Sequence, residues 1–542
     1  LKTGAQCIQS TVDLSSFDPA SLQILSRLDD LESLLRQSPA KSTDERTIIV
    51  GGSKDTTGET DDRPASVLPL RATDILAWPK FRHILAGERS ISDFPHHVTT
   101  PENWTDDSSA LKIYVELTPS HVLLESFWEN VHVKNPILDE VRLHDLVSRI
   151  ALDGFDQSGD SCLLLLVCAL GSITKTFKVD KSASPGSACF LGAKSYFRAA
   201  QQRIGPLMMQ GGLRAAQCLF FSGVFMATIF DKWAAWRYFS QSLACCQQFI
   251  SSAKHTAASP GDLQSDRQAV YWSAWKSEVE MRSLIDASDF PLPDHLTYPS
   301  FFPTPPTAVD TGHLRVDDRI TARQNVGWFF YLSEISMRRL STRISQDLLA
   351  LYANPAGDTA FVLSQSTGGW EEEIEQWVAS LDESVSLSAD PSDDDICKWI
   401  LRGQLLNLYE QIYWPPLYQI LCGNRHQGLP SSLDDLYHFG NKALVIHDQR
   451  LRTNQPGMSH RHHGTMFMIE TCARSALLLL YVASMKLEAP DETTRLHLPD
   501  TWLEGVMTVR DMISFWKQEY PETGSWARAM HVGIELWTSK SP

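Results

Sequence analysis

The stretch CLLLLVCALGSI, from Cys162 to Ile173, decides the fold. Nothing in it is charged, and its Leu, Val, Cys and Ala would coat every side of a helix. A helix apolar all round is buried in a large core or spans a membrane. At 12 residues the run is too short for a bilayer, which needs about 20. The other long runs, CLFFSGVFMATIF (Cys218 to Phe230) and the segment from Ala476 to Met485, are also too short, so buried core helices are expected. Around them, apolar residues recur at intervals of three and four over 121–133, 140–153, 161–178, 193–210, 213–232, 234–254 and 267–286. A second series covers 319–353, 370–388, 394–422, 433–448, 464–488, 500–519 and 524–538. That period belongs to α-helices. One period-two run, Leu111, Ile113, Val115 and Leu117, would make an isolated strand. The Pro-rich segment 290–306 breaks the helical series, because proline lacks the backbone donor. The expected class is all-α.

Composition narrows the function. The 542 residues are 43% hydrophobic, enough for a large core and for roughly three or four domains of average length. Against 48 Lys and Arg stand 65 Asp and Glu, a formal charge of −17, which repels phosphate backbones. DNA would then be bound only through an attached basic module. Ten cysteines, several inside apolar runs and none in a CxxC pair, suit a reducing compartment. With no leader pattern at Leu1, a soluble intracellular chain with no membrane association is expected.

The N-terminal part is organised differently. In 17–37, Ile24, Leu28, Leu31 and Leu35 are spaced four, three and four, as in a coiled-coil seam. The same spacing over only two heptads also suits a short amphipathic helix packed on the body. Residues 38–71, rich in Ser, Thr, Asp, Gly and Pro, read as a flexible linker. Their glycines Gly51, Gly52 and Gly58 lack the Gly-Lys-Ser/Thr of a phosphate loop.

No nucleophile elbow, zinc-protease or dinucleotide motif occurs, and no enzyme is expected. The segment SHRHHG places His460, His462 and His463 near His438, His447 and Asp448. Those side chains could ligate zinc or iron. In a Pro- and Gly-bearing loop with Arg461 among them, they read instead as solvated histidines. His121, His132 and His144 have no ligand spacing and read as core or surface residues. Glu371, Glu372 and Glu373 follow Gly368-Gly369-Trp370 and read as the acidic first turn of a helix.

Several stretches together resemble the regulatory half of fungal binuclear zinc-cluster transcription factors. They are TDILAWPKF (73–81), FWENVHVKNPILDEVRLHDLV (127–147), GFDQSGDSCLLLLVCALGSI (154–173), YFRAAQQRIGPL (196–207), AAQCLFFSGVF (215–225), AAWRYFSQSLACCQQ (234–248) and the segment 270–306. Beyond residue 320 only the general helical character is shared. The resemblance implies that Cys7, in LKTGAQC, is the sixth ligand of a two-zinc cluster whose other cysteines would precede Leu1. Residues 1–16 would then be the remnant of the zinc module and its linker, 17–37 the dimerisation helix, and 72–542 the helical regulatory domain. It further implies a nuclear homodimer that binds DNA through the zinc module and answers to a small-molecule effector or co-regulator. Zinc is expected in the full-length protein and none in this fragment. The alternative is an all-α small-molecule-binding protein or metal-dependent enzyme centred on His438 to His463. A co-regulator acting only by heterodimerisation would share the same fold.

Overall fold

The computed structural model describes residues 68–85, 120–179, 183–253, 261–285, 303, 318–353, 359–421, 430–488 and 495–540, all within a unit running from Ala65 to Pro542. Cys7, Ile24, Leu28, Leu31, Leu35 and the strand expected around Leu111 lie outside the described residues. Among the described residues there are sixteen α-helices and no strand, so the all-α expectation holds. The first series is α1 (Ala72–Leu76), α2 (Pro79–Leu85), α3 (His121–Asn130), α4 (Glu140–Asp153), α5 (Gly159–Ile173), α6 (Ala188–Gln210), α7 (Gly212–Thr228), α8 (Lys232–Ala253) and α9 (Gly261–Leu284). The second is α10 (Asp318–Ala353), α11 (Thr359–Ala379), α12 (Ile396–Leu421), α13 (Pro430–Asn454), α14 (Thr465–Glu488), α15 (Trp502–Trp516) and α16 (Thr523–Lys540).

Local chemistry sets several boundaries. Asp139, Ser158 and Ser187 cap α4, α5 and α6 by accepting from the backbone amides of Arg142, Ser161 and Phe190. Helix α5 is the core of the first half. Every residue from Cys162 to Leu170 is buried, between α3, α6 and α7. Each such leucine contributes about 1.5–3 kcal/mol of transfer free energy. The Phe197 and Phe225 rings stack at 4.3 Å where α6 meets α7. In the second half, α14 is long and apolar enough to cross a membrane, but 89% of its apolar window is buried inside the fold. It packs on α13, α15 and α16. Glu470 of α14 also accepts from the Ala72 amide at 2.6 Å, fastening α1 to this core.

Helix α11 corrects one expectation. It begins at Thr359, so Glu371 to Glu373 lie inside it and not in a first turn. The physical reason is a continuous buried stripe, Leu363, Thr367, Trp370, Ile374 and Trp377, spaced four, three, four and three. Gly368 and Gly369 sit off that stripe, and a Cβ on either would meet nothing within 4 Å. Their helical cost is uncompensated by packing. Gly369→Ala should therefore stabilise the protein by about 0.5–1 kcal/mol, read as a higher urea midpoint. A lower midpoint would mean that the helix needs its break there.

Candidate functional site

The site is built on the turn that follows α3. His132–Lys134 forms a single 3-10 turn, fixed by His132, whose Nε2 accepts the Leu138 amide at 3.0 Å and whose ring sits edge-on to Trp128 at 4.4 Å. Burial, helped by Arg323, lowers the His132 pKa to about 3, so the ring is neutral and structural. The turn leaves Lys134 only 2% exposed and Asn135 1% exposed. Among the described residues, no carboxylate lies within ion-pair distance of Lys134. Neither polar atom of the Asn135 amide has a hydrogen-bond partner there.

Two helices supply the charged flank. Lys276 of α9 pairs with Glu334 of α10, and its Nζ also reaches the Lys134 carbonyl at 3.5 Å. Arg338, one turn further on, pairs with Glu280 and lies 3.1 Å from Glu334. Burial pushes the Glu334 carboxyl up, but Lys276 and Arg338 outweigh it and hold it below the usual range. In this group two carboxylates face three cations, and the unmatched cation is Lys134. Burial lowers Lys134 to about 8, with Cys397 opposing and Lys276 adding to the drop. It is still mainly charged at neutral pH.

The aromatic and imidazole flank comes from the α13–α14 connection. Here the structure overturns the solvated-loop expectation: His460, Arg461 and His462 are all buried. The reason is Arg461. It donates to the carbonyls of Ala183 (3.1 Å) and Thr228 (3.0 Å) and to Glu519 (2.6 Å), and lies over Phe190, Phe230 and Trp516. A guanidinium so matched draws its neighbours inside with it. Thr465 Oγ1 donates to the His460 carbonyl at 3.0 Å and accepts the His462 amide at 2.8 Å, closing the loop on the start of α14. Phe177 lies 5.2 Å from His460 and 5.0 Å from Trp399, and Trp399 lies 5.6 Å from His462. Trp399 is locked by Nε1 donating to the Thr453 carbonyl at 3.1 Å. It also presses on Gly457, where a Cβ would come within 2.1 Å of its ring.

Protonation follows from these contacts. Burial first, with the Lys134 charge next, lowers His460 to about 3 and pushes His462 and His463 well below their ordinary value. His462 Nδ1 accepts the Gly464 amide at 3.1 Å, so its proton sits on Nε2. That Nε2–H has no acceptor among the described residues. The loop thus holds a buried neutral donor packed against the rings of Trp399 and His460. Among the described residues no three His, Cys, Asp or Glu side chains are placed to hold a metal ion.

The remaining sequence candidates fall elsewhere. His447 is buried with Nδ1 2.9 Å from Ser475 Oγ, inside a separate ion cluster of Glu410, Arg450 and Arg474. Asp448 accepts from Arg452 and Thr501, and Glu371 from Lys442 and Tyr413. A cavity of about 190 Å³ opens beside α4, but its Arg142 pairs with Asp139 and Asp266 and its Arg214 with Gln217 and Asp160. Its charges are already matched. Lys134 and Asn135 were not singled out from sequence. The available signal was a Lys-Asn pair bracketed by the apolar Val131, Val133 and Ile137, all of them buried. Compared with protein-family models and with curated protein sequences, the chain matches none.

Proposed function

We propose that this chain is the regulatory region of a fungal zinc-cluster transcription factor that acts in the nucleus as a homodimer. What supports the reading is the resemblance of the sequence blocks from TDILAWPKF (73–81) to the segment 270–306, taken in order, to that family's regulatory half. An all-α body in a chain of net charge −17 also suits a partner-binding or effector-sensing role, with DNA left to a basic module. In this reading Cys7 ligates zinc together with cysteines preceding Leu1, and Ile24, Leu28, Leu31 and Leu35 form the seam between two copies. A small molecule or co-regulator bound by the helical body would shift the balance of active and inactive arrangements through its differential affinity.

The test is zinc content. Protein made from the complete reading frame should carry two zinc ions per chain by native mass spectrometry, and Cys7→Ala should lose or disrupt them. Zinc-free protein, or zinc indifferent to Cys7, would remove the assignment and leave a partner-binding co-regulator.

A further inference from the structure

We propose that the cleft beside α4 binds a small free amino acid with an aliphatic side chain, taken up as its zwitterion. The cavity there measures about 190 Å³ and draws its lining from α4, α5, α7 and α9. An apolar cavity of about 150 Å³ takes a ligand of benzene's size, so this one suits roughly eight non-hydrogen atoms, the number in valine. Its lining has two characters. Leu143, Leu146 and Leu163 are buried and form an apolar floor, whereas Arg142, Arg214 and Asp266 carry charge at the rim.

The charges decide what kind of ligand fits. Among the described residues of the lining, Arg142 and Arg214 are set against Asp139 and Asp266, two of each sign. A ligand with net charge would upset that balance, while a zwitterion keeps it. The four groups are not equally committed. Asp139 caps α4 by accepting the Arg142 amide at 3.0 Å. Arg214 is held by Asp160 at 2.8 Å and donates through Nη1 to Gln217 at 3.0 Å, and Gln217 donates in turn to the Ile137 carbonyl at 2.9 Å. The Arg142 guanidinium, by contrast, lies 3.7 Å from Asp139 and 3.8 Å from Asp266, beyond the roughly 2.7–2.9 Å of a charge-assisted hydrogen bond. Its side chain is half exposed, and ion pairs of that sort contribute little. A ligand can therefore enter between Arg142 and Asp266 and pair with both more closely. Its carboxylate accepts from Arg142, with Arg214 alongside, and its ammonium donates to Asp266. The side chain then covers Leu143, Leu146 and Leu163, a floor that favours a branched alkyl group over a polar one.

The test is calorimetric titration of L-valine and L-leucine into the full chain. The comparison compounds are 3-methylbutanoate, which lacks the ammonium, and isobutylamine, which lacks the carboxylate. Expected are saturable binding of at least one of the two amino acids and at least tenfold weaker binding of both comparison compounds. Arg142→Gln and Asp266→Asn should each weaken amino-acid binding at least tenfold. Neither side chain is buried, so each variant should melt near the parent. No saturable binding of either amino acid by the parent overturns the proposal without reference to any variant. So does binding of 3-methylbutanoate or isobutylamine as tight as that of the amino acid, or amino-acid binding untouched by both substitutions. Under the regulator reading the cleft would hold the effector. None of these outcomes depends on zinc or on Cys7, so a failure here is distinct from a failure of that reading.

Discussion

Glu410→Ala should cost about 3–5 kcal/mol of stability, enough to remove a large share of what a folded domain holds in reserve. Glu410 of α12 is 1% exposed and accepts from two guanidinia, Arg450 of α13 at 2.7 Å and Arg474 of α14 through two bonds of 2.7 Å. Arg450 is itself bound to Ser475 Oγ at 2.8 Å and to the Leu406 carbonyl and Asn407 at 3.1 Å. One carboxylate therefore joins three helices. Removing it leaves the buried Arg450 and the largely buried Arg474 guanidinia facing each other, and neither can shed its charge. The urea midpoint should fall accordingly. The double variant Glu410→Ala with Arg450→Met should lose less than the sum of the two single losses. A Glu410→Ala loss under about 1 kcal/mol would mean that water reaches these charges.

Acid gives the same cluster a second readout. Burial raises the Glu410 carboxyl, but Arg450 and Arg474 outweigh it and hold it well below the usual range, while burial lowers His447 to about 3. Both folded values lie below the unfolded ones, so the unfolded chain binds more protons as pH falls. Stability from His447 is present above about pH 6.5 and drains toward pH 3. That from Glu410 drains below about 4.5, each at about 1.4 kcal/mol per pH unit. In Glu410→Ala the slope below pH 4.5 should be shallower by one proton's worth. An unchanged slope would place the acid sensitivity elsewhere.

What the sequence disclosed follows from which forces are local. Helix α4 spans Glu140–Asp153, the bounds its apolar spacing predicts, because a capping Asp139 and a terminal Gly154 in the left-handed region act within a few residues. The run Cys162 to Ile173 lies wholly inside α5 for the same reason. Gly368-Gly369 resembles punctuation in sequence, but a buried stripe on the other side of α11 carries the helix through. The apolar spacing over 394–422 runs through Pro415 and Pro416, and both sit inside α12, where the buried Trp414 and Tyr413 hold the segment in place. The candidate site was least legible. The polarity of the loop histidines suggests solvation, yet His460 and His462 are buried. The partners that bury Arg461 lie 58, 233 and 278 residues away. Charge matching of that kind is a tertiary fact, and so is the lack of a match for Lys134.

Gly171→Ala should be the most disruptive single methyl in the described structure. Gly171 lies in α5 where α3 crosses it, and a Cβ there would fall 2.0 Å from the Leu123 carbonyl oxygen and 2.8 Å from its carbon. The obstacle is backbone, so no rotamer change relieves it, and α3 has to move by more than an ångström. Overpacking typically costs about 1–3 kcal/mol, and this position should reach or exceed the upper end because whole helices must part. Gly192→Ala in α6 is the control: its Cβ would meet only Ser172 Oγ at 3.5 Å, an ordinary contact, and the variant should melt near the parent. The displacement also reaches the turn at Lys134. Helix α3 carries the buried Phe127 and Trp128, Trp128 braces His132, and His132 fixes the turn that ends at Lys134. Equal melting of the two variants would mean that α3 and α5 lie further apart than their crossing at Gly171 requires.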